Sequence, residues 1–281
     1  MEEYGTLYIC PTPIGNLDDI TFRVLKTLNS ADLIAAEDTR HTKKLLTHFD
    51  VHTQIFSYHE HNKAKAGPVL IERLQSGTSI ALVTDAGTPG ISDPGEDLIK
   101  LAIEAGVPIV SQPGATAFVT ALVASGLPTG KFVFEGFLDR HKKRRREALE
   151  GLKNETRTVI FYEAPHRLLQ TLDSMLEVLG DRQLTAAREL TKRYESYVRG
   201  SISEVIDHFK TTAPRGEFVL VLSGIDPEDI ETADNPLLDM SIEEHLTYYI
   251  NQGMRKKEAA ALVAEARGLN KRDVYKITVD L

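Results

Sequence analysis

The sequence predicts an α/β protein with two α/β domains and a small helical unit. Short apolar runs alternate with segments of helical periodicity, which is the pattern of parallel sheets covered by helices. The pattern breaks at the Gly- and Pro-containing segment 125–130 and then restarts. We predict α/β domains at residues 1–125 and 130–224, an acidic linker poor in apolar residues at 225–239, and a helical extension at 240–281.

The composition limits the classes of protein that fit. The chain has 281 residues, 42% of them hydrophobic, which suffices for two cores of ordinary size. Its net charge of -8 argues against a general nucleic-acid coat, so any RNA contact must come from local basic patches. The single cysteine, Cys10, excludes an intramolecular disulfide and a zinc site built from cysteines. An acidic N-terminus and the lack of a long apolar run predict a cytoplasmic protein with no membrane partner.

The first predicted strand, residues 6–10, ends in the loop Pro11–Leu17, and a helix follows at 21–28. This loop stands where a dinucleotide-binding fingerprint would stand, but its glycine pattern is missing. A nicotinamide dinucleotide is therefore not expected, whereas a smaller nucleoside could still pack there.

A second strand, residues 32–36, leads into the polar segment Glu37–His41 and a helix at 42–49. Functional loops occur at such strand ends. Asp38 or Thr39 could equally cap the helix, and the two interpretations are compatible.

The polar loop 57–62 precedes a predicted helix at 68–74. Its His59 and His61 are two positions apart in the sequence, whereas the two histidines of a helical zinc site are four positions apart. We therefore predict no metal. Substrate contact and a solvated loop both stay open.

The loop at 84–95 is the strongest candidate for ligand binding. It follows the apolar strand 80–83 and precedes a helix at 96–105, which is where open α/β sheets bind ligands. Its glycines let the backbone approach a ligand. An ordinary tight turn is the alternative. After a strand at 107–110, another helix begins within residues 112–117. Its first N–H groups are free to bind the polar edge of a ligand.

The second half repeats the pattern. Gly216, just before the last strand, is expected to mark a close approach of two backbone segments. The predicted strands are 132–134, 158–163, 184–187 and 218–222, with a helix ending at 179.

Two basic clusters stand out against the acidic background. The first is a polar loop at 139–146, which is either a solvated face or a contact to phosphates. Its members are Arg140, Lys142, Lys143, Arg144, Arg145 and Arg146. The second lies in the tail, where helices at 256–267 and 271–277 form a helix-turn-helix pattern. Its members are Arg255, Lys256, Lys257, Lys271 and Arg272, and a packing or dimerisation unit is the alternative to RNA binding.

Six motifs in order resemble one family. They are Pro-Thr-Pro-Ile-Gly-Asn, Ala-Ala-Glu-Asp-Thr-Arg, Tyr-His-Glu-His-Asn, Asp-Ala-Gly-Thr-Pro-Gly-Ile-Ser-Asp-Pro-Gly, Phe-Tyr-Glu-Ala-Pro-His-Arg and Ala-Arg-Glu-Leu-Thr-Lys. The set resembles the bacterial methyltransferases that act on the ribose 2′-oxygen of a cytidine in small-subunit ribosomal RNA. These belong to the tetrapyrrole-methylase-like (class III) S-adenosylmethionine methyltransferases. The resemblance spans about residues 5–224, and the tail is similar to the family's helical extension.

The resemblance implies S-adenosylmethionine in a cleft between the two domains, a homodimer, and ribosomal RNA or the small subunit as partner. Carried over position by position, it implies a set of cofactor residues. These are Pro13, Ile14, Gly15, Asp85, Ala86, Gly87, Thr88, Ile91, Ser92, Asp93, Pro94, Thr116, Ala117, Tyr162 and Ala187. The first loop lacks the Gly-rich, Asp-terminated form usual in members that act on tetrapyrroles, which counts against a porphyrin substrate.

The cofactor would carry the chemistry, and the protein would align the hydroxyl and help remove its proton. Candidate bases are Asp85, Glu163, Glu37 and His61, and we favour Asp85. Asp85 could instead only orient the loop or the cofactor. A methyltransferase acting on a tetrapyrrole-type small molecule, and an RNA-binding regulator with a vestigial cofactor pocket, stay as alternatives.

Overall fold

A computed structural model describes residues 4–229, 237 and 240–278. The chain forms two compact units, Met1–Ile225 and Asp226–Leu281. The larger unit contains two five-stranded sheets and the smaller contains helices. The predicted class, two α/β domains with C-terminal helices, is confirmed.

The first sheet is wholly parallel, in the order β3-β2-β4-β1-β5. Its strands are β1 (Leu7–Ile9), β2 (Leu33–Ala36), β3 (Ile55–Ser57), β4 (Ile80–Val83) and β5 (Ile109–Ser111). The helices between them are α1 (Phe22–Ser30), α2 (Thr39–His48), α3 (Lys63–Gln75) and α4 (Glu96–Glu104).

Helices cover both faces of this sheet because alternate residues of each strand are apolar on both sides. Leu33 of β2 and Leu82 of β4 pack with α3 and α4, whereas Ile34 and Val83 pack with α1 and α2. The carboxyl ends of β1, β2 and β4 therefore lie along one edge, and the loops that follow them meet there.

The second sheet has the order β6-β7-β10-β8-β9. Its strands are β6 (Phe132–Phe137), β7 (Thr158–Glu163), β8 (Gln183–Arg188), β9 (Ser196–Ser201) and β10 (Phe218–Leu222). Only β6 and β7 pair in parallel, and the other pairs are antiparallel. The helices are α5 (Ala117–Ser125), α6 (Lys142–Glu150), α7 (Leu168–Leu179) and α8 (Ile202–Thr211).

Helix α5 links the two sheets. Its buried Ala121 and Leu122 pack with Ile160 of β7 and Val219 of β10, on the second sheet. The helix therefore covers the second sheet although it precedes 125–130, the boundary expected from the sequence. The domain limits themselves stay a prediction.

Several elements differ from the sequence-based expectation, among them α3, β9 and α8. Helix α3 begins at Lys63, five residues before its expected start at Pro68, which lies inside the helix. Strand β9 and helix α8 were not expected, although Ser201 and Glu204 form a capping box at the start of α8.

The helical unit contains α9 (Ile242–Asn251), α10 (Lys256–Ala266) and α11 (Lys271–Ile277), packed around Leu246, Val263 and Val274. Ser241 and Glu244 form a capping box at the start of α9. Residues 230–236 and 238–239 of the expected linker lie outside the described residues. No helix among the described ranges has the length and apolar character needed to cross a bilayer.

Candidate active site

A cavity of about 430 Å³ is lined by both α/β domains. Such a volume suits a small-molecule ligand. The first domain contributes Ile14, Ala86, Gly87, Thr88, Ile91, Ser92, Asp93, Thr116 and Ala117. The second contributes Phe137, Tyr162, Glu163, Ala164, Pro165, Leu190, Glu217, Phe218 and Val219.

Backbone hydrogen bonds hold the loops after β1 and β4 together. The Thr12 N–H donates to the Gly87 carbonyl at 2.9 Å, and the Gly87 N–H donates to the Thr12 carbonyl at 3.0 Å. The Thr88 and Thr116 hydroxyls lie 2.9 Å apart and join the loop after β4 to the start of α5. Gly87 has a φ of 84°, in the left-handed region that favours glycine. The floor of the cavity is thus built from rigid, mutually bonded loops.

The end of the loop at 84–95 carries an uncommon backbone conformation. Ser92 has a φ of 62°, which is unfavourable for a residue with a side chain. Its hydroxyl packs so closely on Gly136 that a Cβ there would approach it to 3.2 Å. Gly136 lies where the pairing of β6 with β7 shifts register. This contact fixes the backbone just before Asp93, and Asp93 lines the cavity.

Carboxylates cluster beside Asp93. Glu37 Oε2 accepts a hydrogen bond from Thr84 Oγ1 at 2.8 Å, and Asp85 Oδ1 accepts one from the Asp38 N–H at 3.1 Å. Burial, with a smaller contribution from the charges of Glu37 and Asp85, raises the pKa of Asp93 to about 6. Asp38 also caps α2 through the Arg40 N–H, as one of the two interpretations of this segment expected.

Aromatic side chains form one wall of the cavity. The Tyr162 hydroxyl accepts a hydrogen bond from the Phe118 N–H at 3.3 Å, and burial raises the pKa of Tyr162 to about 12. The Phe137 ring lies 5.5 Å from that of Tyr162, edge to face, and 56% of Phe137 is exposed. An exposed aromatic face at a cavity is suited to stacking on a planar ring.

Glu163 lines the cavity, but protein groups engage its carboxylate. Oε1 accepts from the Ala164 N–H at 2.8 Å and lies 3.5 Å from Arg167 Nε, while Oε2 accepts from Thr171 Oγ1 at 2.5 Å. These bonds join the end of β7 to α7. The carboxylate is thereby suited to holding the cavity wall in place.

The structure brings together ten of the cofactor residues implied by the resemblance: Ile14, Ala86, Gly87, Thr88, Ile91, Ser92, Asp93, Thr116, Ala117 and Tyr162. The other five, Pro13, Gly15, Asp85, Pro94 and Ala187, are absent from the lining. Ala187 is fully buried and pairs with Val219 inside the sheet. Gly15 packs closely on Thr191 and Lys192 of the second domain. Of the candidate bases, only Glu163 lines the cavity, whereas Asp85, Glu37 and His61 do not.

Several lining residues were missed: Phe137, Ala164, Pro165, Leu190, Glu217, Phe218 and Val219. The start of β10 reaches the cavity because its antiparallel pairing places Phe218 opposite Glu163, at the end of β7. One sequence signal did point there. A Cβ on Gly216 would lie 2.4 Å from the Glu189 side chain, which is the close approach expected at that glycine.

The first basic cluster is a helix rather than the expected loop. Six cations fall within α6 or just before it, and the helix forms because Leu149 and Arg145 face the core. Arg145 is 1% exposed and donates to Ser174 Oγ and to the carbonyls of Asp139 and Arg140. Its expected RNA contact is therefore wrong, since its donors face inward.

The remaining members of this cluster differ in their partners. Arg144 and Arg146 pair with carboxylates, and Lys143 lies 3.9 Å from Glu147. Arg140 and Lys142 are exposed, and within the described part of the chain their side chains have no ion-pair partner. Within this cluster, Arg140, Lys142 and Lys143 are therefore the side chains most available to bind an anion.

The basic residues of the helical unit lie mostly on its surface. Arg255, Lys257, Lys271 and Arg272 are exposed, whereas Lys256 donates to the Thr278 carbonyl at 3.0 Å. Among the described residues, no group of three or more His, Cys, Asp or Glu side chains is arranged to hold a metal ion.

Comparisons with known proteins identify the family. The family model described as Tetrapyrrole (Corrin/Porphyrin) Methylases matches residues 6–206. The chain is 52% identical to the ribosomal RNA small subunit methyltransferase I of Halalkalibacterium halodurans over 276 residues, covering 98% of this chain and 95% of that protein. The chain belongs to the ribosomal RNA small subunit methyltransferase I family. The protein of the same name from Bacillus subtilis is 50% identical, covering 97% and 94% of the two chains.

Solved structures show the same fold at low identity. Cobalt precorrin-4 methyltransferase matches with a TM-score of 0.60 and 19% identity, over 78% of this chain and 94% of that chain. Uroporphyrin-III C-methyl transferase from Thermus thermophilus, complexed with S-adenyl homocysteine, matches with a TM-score of 0.54 and 18% identity, over 78% and 97%. As a member of the ribosomal RNA small subunit methyltransferase I family, the chain is an S-adenosylmethionine-dependent methyltransferase.

The lining of the cavity fits this cofactor. Ile14, Ala117 and Val219 offer apolar surface for a nucleoside, and the Thr88 and Thr116 hydroxyls offer hydrogen bonds. Asp93 and Glu217 add carboxylates, which suit the positive charges of a sulfonium and an amino group.

Proposed function

We propose that this methyltransferase modifies the ribose 2′-hydroxyl of a cytidine in small-subunit ribosomal RNA. The main support for the proposal is the share of the chain that is similar to curated relatives. Curated relatives named for ribosomal RNA match 97–99% of the chain, including the helical unit that lies beyond the family model. Structures of enzymes named for tetrapyrroles cover 78% of it.

The cavity supports the chemistry. When bound, S-adenosylmethionine supplies a methyl group on a sulfonium whose leaving group is a neutral thioether. The protein would hold the cofactor with the bonded loops at Gly87, Thr88 and Thr116. It would bring the ribose hydroxyl into line and exclude water from it.

Phe137 and the nearby basic helix suggest how RNA reaches the cavity. Phe137 ends β6, and Arg140 and Lys142 follow within five residues. An exposed ring can stack on a base removed from its helix, while lysine and arginine contact phosphates. The exposed cations of the helical unit, Arg255, Lys257, Lys271 and Arg272, would supply further phosphate contacts.

The enzyme would act as a homodimer in the cytoplasm, where ribosomal subunits are made. Val119 and Val123 support a second copy as partner, since both are exposed apolar side chains one turn apart on α5. Sedimentation equilibrium at micromolar concentration should give a dimer. A monomer there would contradict this part of the proposal.

The substrate is tested by competing acceptors. The purified protein is incubated with methyl-labelled S-adenosylmethionine and, in separate reactions, immature small subunits, free small-subunit RNA and a precorrin. We expect the label in RNA, on a cytidine whose 3′ phosphodiester bond resists alkaline hydrolysis because its 2′-oxygen is methylated. Label in the precorrin alone would favour the tetrapyrrole alternative. Tight cofactor binding without any transfer would favour a regulator with a vestigial pocket.

A further inference from the structure

We propose that Asp93 is the catalytic base that accepts the proton of the ribose hydroxyl. This assignment rests on the proposed function and replaces Asp85, the base favoured from the sequence. Three features of Asp93 support it: its position in the cavity, the backbone conformation that orients it, and the charges around it.

Among the candidate bases, Asp93 has the best access to the cavity where the reacting atoms would lie. Asp93 lines the cavity, whereas Asp85, Glu37 and His61 do not. Asp85 Oδ1 accepts the N–H of Asp38, so it holds the loop after β2 against the loop after β4. Glu163 lines the cavity, but backbone, hydroxyl and guanidinium groups take up its two oxygens. Asp93 is thus the carboxylate best placed to meet a substrate hydroxyl.

The second step is the backbone. Ser92 adopts a left-handed conformation, and glycines at positions 90 and 95 also have positive φ values. Strain of this kind persists where the surroundings enforce it. Here the Ser92 hydroxyl packs against Gly136 of the second domain. The conformation directs Asp93 into the cavity and ties its position to the contact between the two domains.

The third step is the protonation state. Burial and the nearby carboxylates Glu37 and Asp85 disfavour the charged form of Asp93, and the polar Thr84 side chain partly offsets them. Their balance raises the pKa to about 6. A base whose pKa lies near the working pH is largely ionised and still accepts a proton effectively.

The other charged groups around the cavity are satisfied elsewhere. Glu163 faces Arg167, and Glu217 pairs with Lys192 at 2.8 Å. The Tyr162 hydroxyl stays protonated at neutral pH because burial raises the pKa of Tyr162 to about 12, with a further contribution from Asp93. Asp93 is the carboxylate lining the cavity whose pKa is raised, to about 6.

The proposed reaction is a methyl transfer coupled to loss of the hydroxyl proton. The ribose oxygen forms the new bond to the methyl carbon while the bond from that carbon to sulfur breaks, leaving its electron pair on sulfur. The hydroxyl proton passes to an Asp93 carboxylate oxygen and is later lost to water. The products are the 2′-O-methyl ribose and the neutral thioether.

The test compares Asp93→Asn, Glu37→Gln and a control, Glu104→Gln, which changes an exposed carboxylate on α4. Single-turnover rates are measured with saturating cofactor across pH, and product-thioether affinity is measured by calorimetry. We expect Asp93→Asn to lower the rate about 100-fold or more, the range of a lost general base, with unchanged thioether affinity. The control should behave as wild type.

The pH profile separates a base from a residue that only shapes the site. The wild-type rate should rise with pH and level off above about 6, following the pKa of Asp93. Glu37→Gln removes a neighbouring negative charge, so this rise should move to lower pH. Carbon-13 titration of the Asp93 carboxyl in the cofactor-free protein should show the same downward shift of its pKa.

The outcomes are distinct. An active wild type whose Asp93→Asn variant keeps the rate and the pH profile would overturn the assignment. So would a loss of thioether affinity that accounts for the whole rate decrease, because Asp93 would then bind the cofactor. A wild type that transfers no methyl group to RNA would overturn the proposed function and the assignment with it.

Discussion

At the scale of single residues, Gly87 offers a test of whether the cavity binds the cofactor. It has a φ of 84°, exchanges two backbone hydrogen bonds with Thr12, and lines the cavity. A Cβ there would lie 3.4 Å from the Ile14 side chain, which lines the same cavity. Any side chain at this position would be strained and would narrow the space for a ligand.

We therefore expect Gly87→Val to abolish measurable binding of the product thioether while the protein stays folded. The matched control is Gly106→Val. Gly106 also has a positive φ, 69°, but a Cβ there meets nothing within 4 Å. Both variants carry a comparable backbone penalty of about 1–3 kcal/mol, and only one obstructs the cavity. Calorimetry that finds unchanged affinity in folded Gly87→Val would remove this loop from the site.

At the scale of elements, α6 has a structural role through Arg145 and exposes the cations that we propose contact RNA. Arg145 is buried under α7, where it donates to Ser174 and to two backbone carbonyls. Arg140, Lys142 and Lys143 are exposed on the same segment. A variant that includes Arg145 would lose stability, because its three acceptors would be left without a donor.

We expect the triple variant Arg140→Ala, Lys142→Ala, Lys143→Ala to weaken RNA binding and flatten its salt dependence. Each lost phosphate contact should reduce the log–log slope by about 0.7 to 1, since fewer counterions are released. Thioether affinity should not change. The measurement is RNA affinity at several salt concentrations. An unchanged slope would make α6 a solvated surface, and the contact would then be sought in the helical unit.

The helical unit contains a buried histidine that contacts an arginine. His245 is fully buried, and its Nδ1 accepts a hydrogen bond from Arg267 Nε at 3.2 Å. Burial, together with the positive charge of Arg267, lowers the pKa of His245. The unfolded chain therefore binds a proton at a pH where the folded unit does not, so stability is present above a pH of about 6.5 and lost as pH falls below it.

We expect α9–α11 to open more readily at pH 5 than at pH 7.5. Hydrogen exchange of the full chain, corrected for the intrinsic effect of pH, measures this by peptide. His245→Gln should remove most of the difference. Equal protection at both pH values in the wild type would contradict the role given to His245.

Elements with continuous apolar faces could be predicted from the sequence. β2 and β4 are buried on both sides, and their runs were recognised as strands. β3 and β9 are half-buried, with mixed side chains, and carry no such signal. α6 was taken for a loop because its sequence has little apolar periodicity, and its inner face is built partly from an arginine.

The cavity residues on the loops of the first sheet could largely be predicted, whereas most of those on the second sheet could not. The loops after β1 and β4 belong to a parallel sheet, so their place at one edge follows from topology. Glu217 and Val219 enter from the start of β10, which depends on antiparallel pairing across the second sheet. Asp93 was expected to bind the cofactor, and its carboxylate neighbours became visible only when β2 and β4 were placed side by side.

At the scale of the whole molecule, the two sheets and the basic segments contribute different features. Hydrogen-bonded loops of a parallel sheet and aromatic and acidic side chains of a mixed sheet line one cavity, and exposed cations lie on separate elements. Because the net charge is -8, we propose that RNA contacts are made by those cations. The central claim is that these parts modify one ribose of small-subunit RNA.

Mass mapping of small-subunit ribosomal RNA tests this claim most directly. RNA is compared between a strain that lacks the gene, the same strain carrying the wild-type gene, and the same strain carrying Gly87→Val. We predict that one cytidine gains the mass of a methyl group and becomes resistant to alkaline cleavage only with the wild-type gene. Identical small-subunit RNA in all three strains would contradict the account.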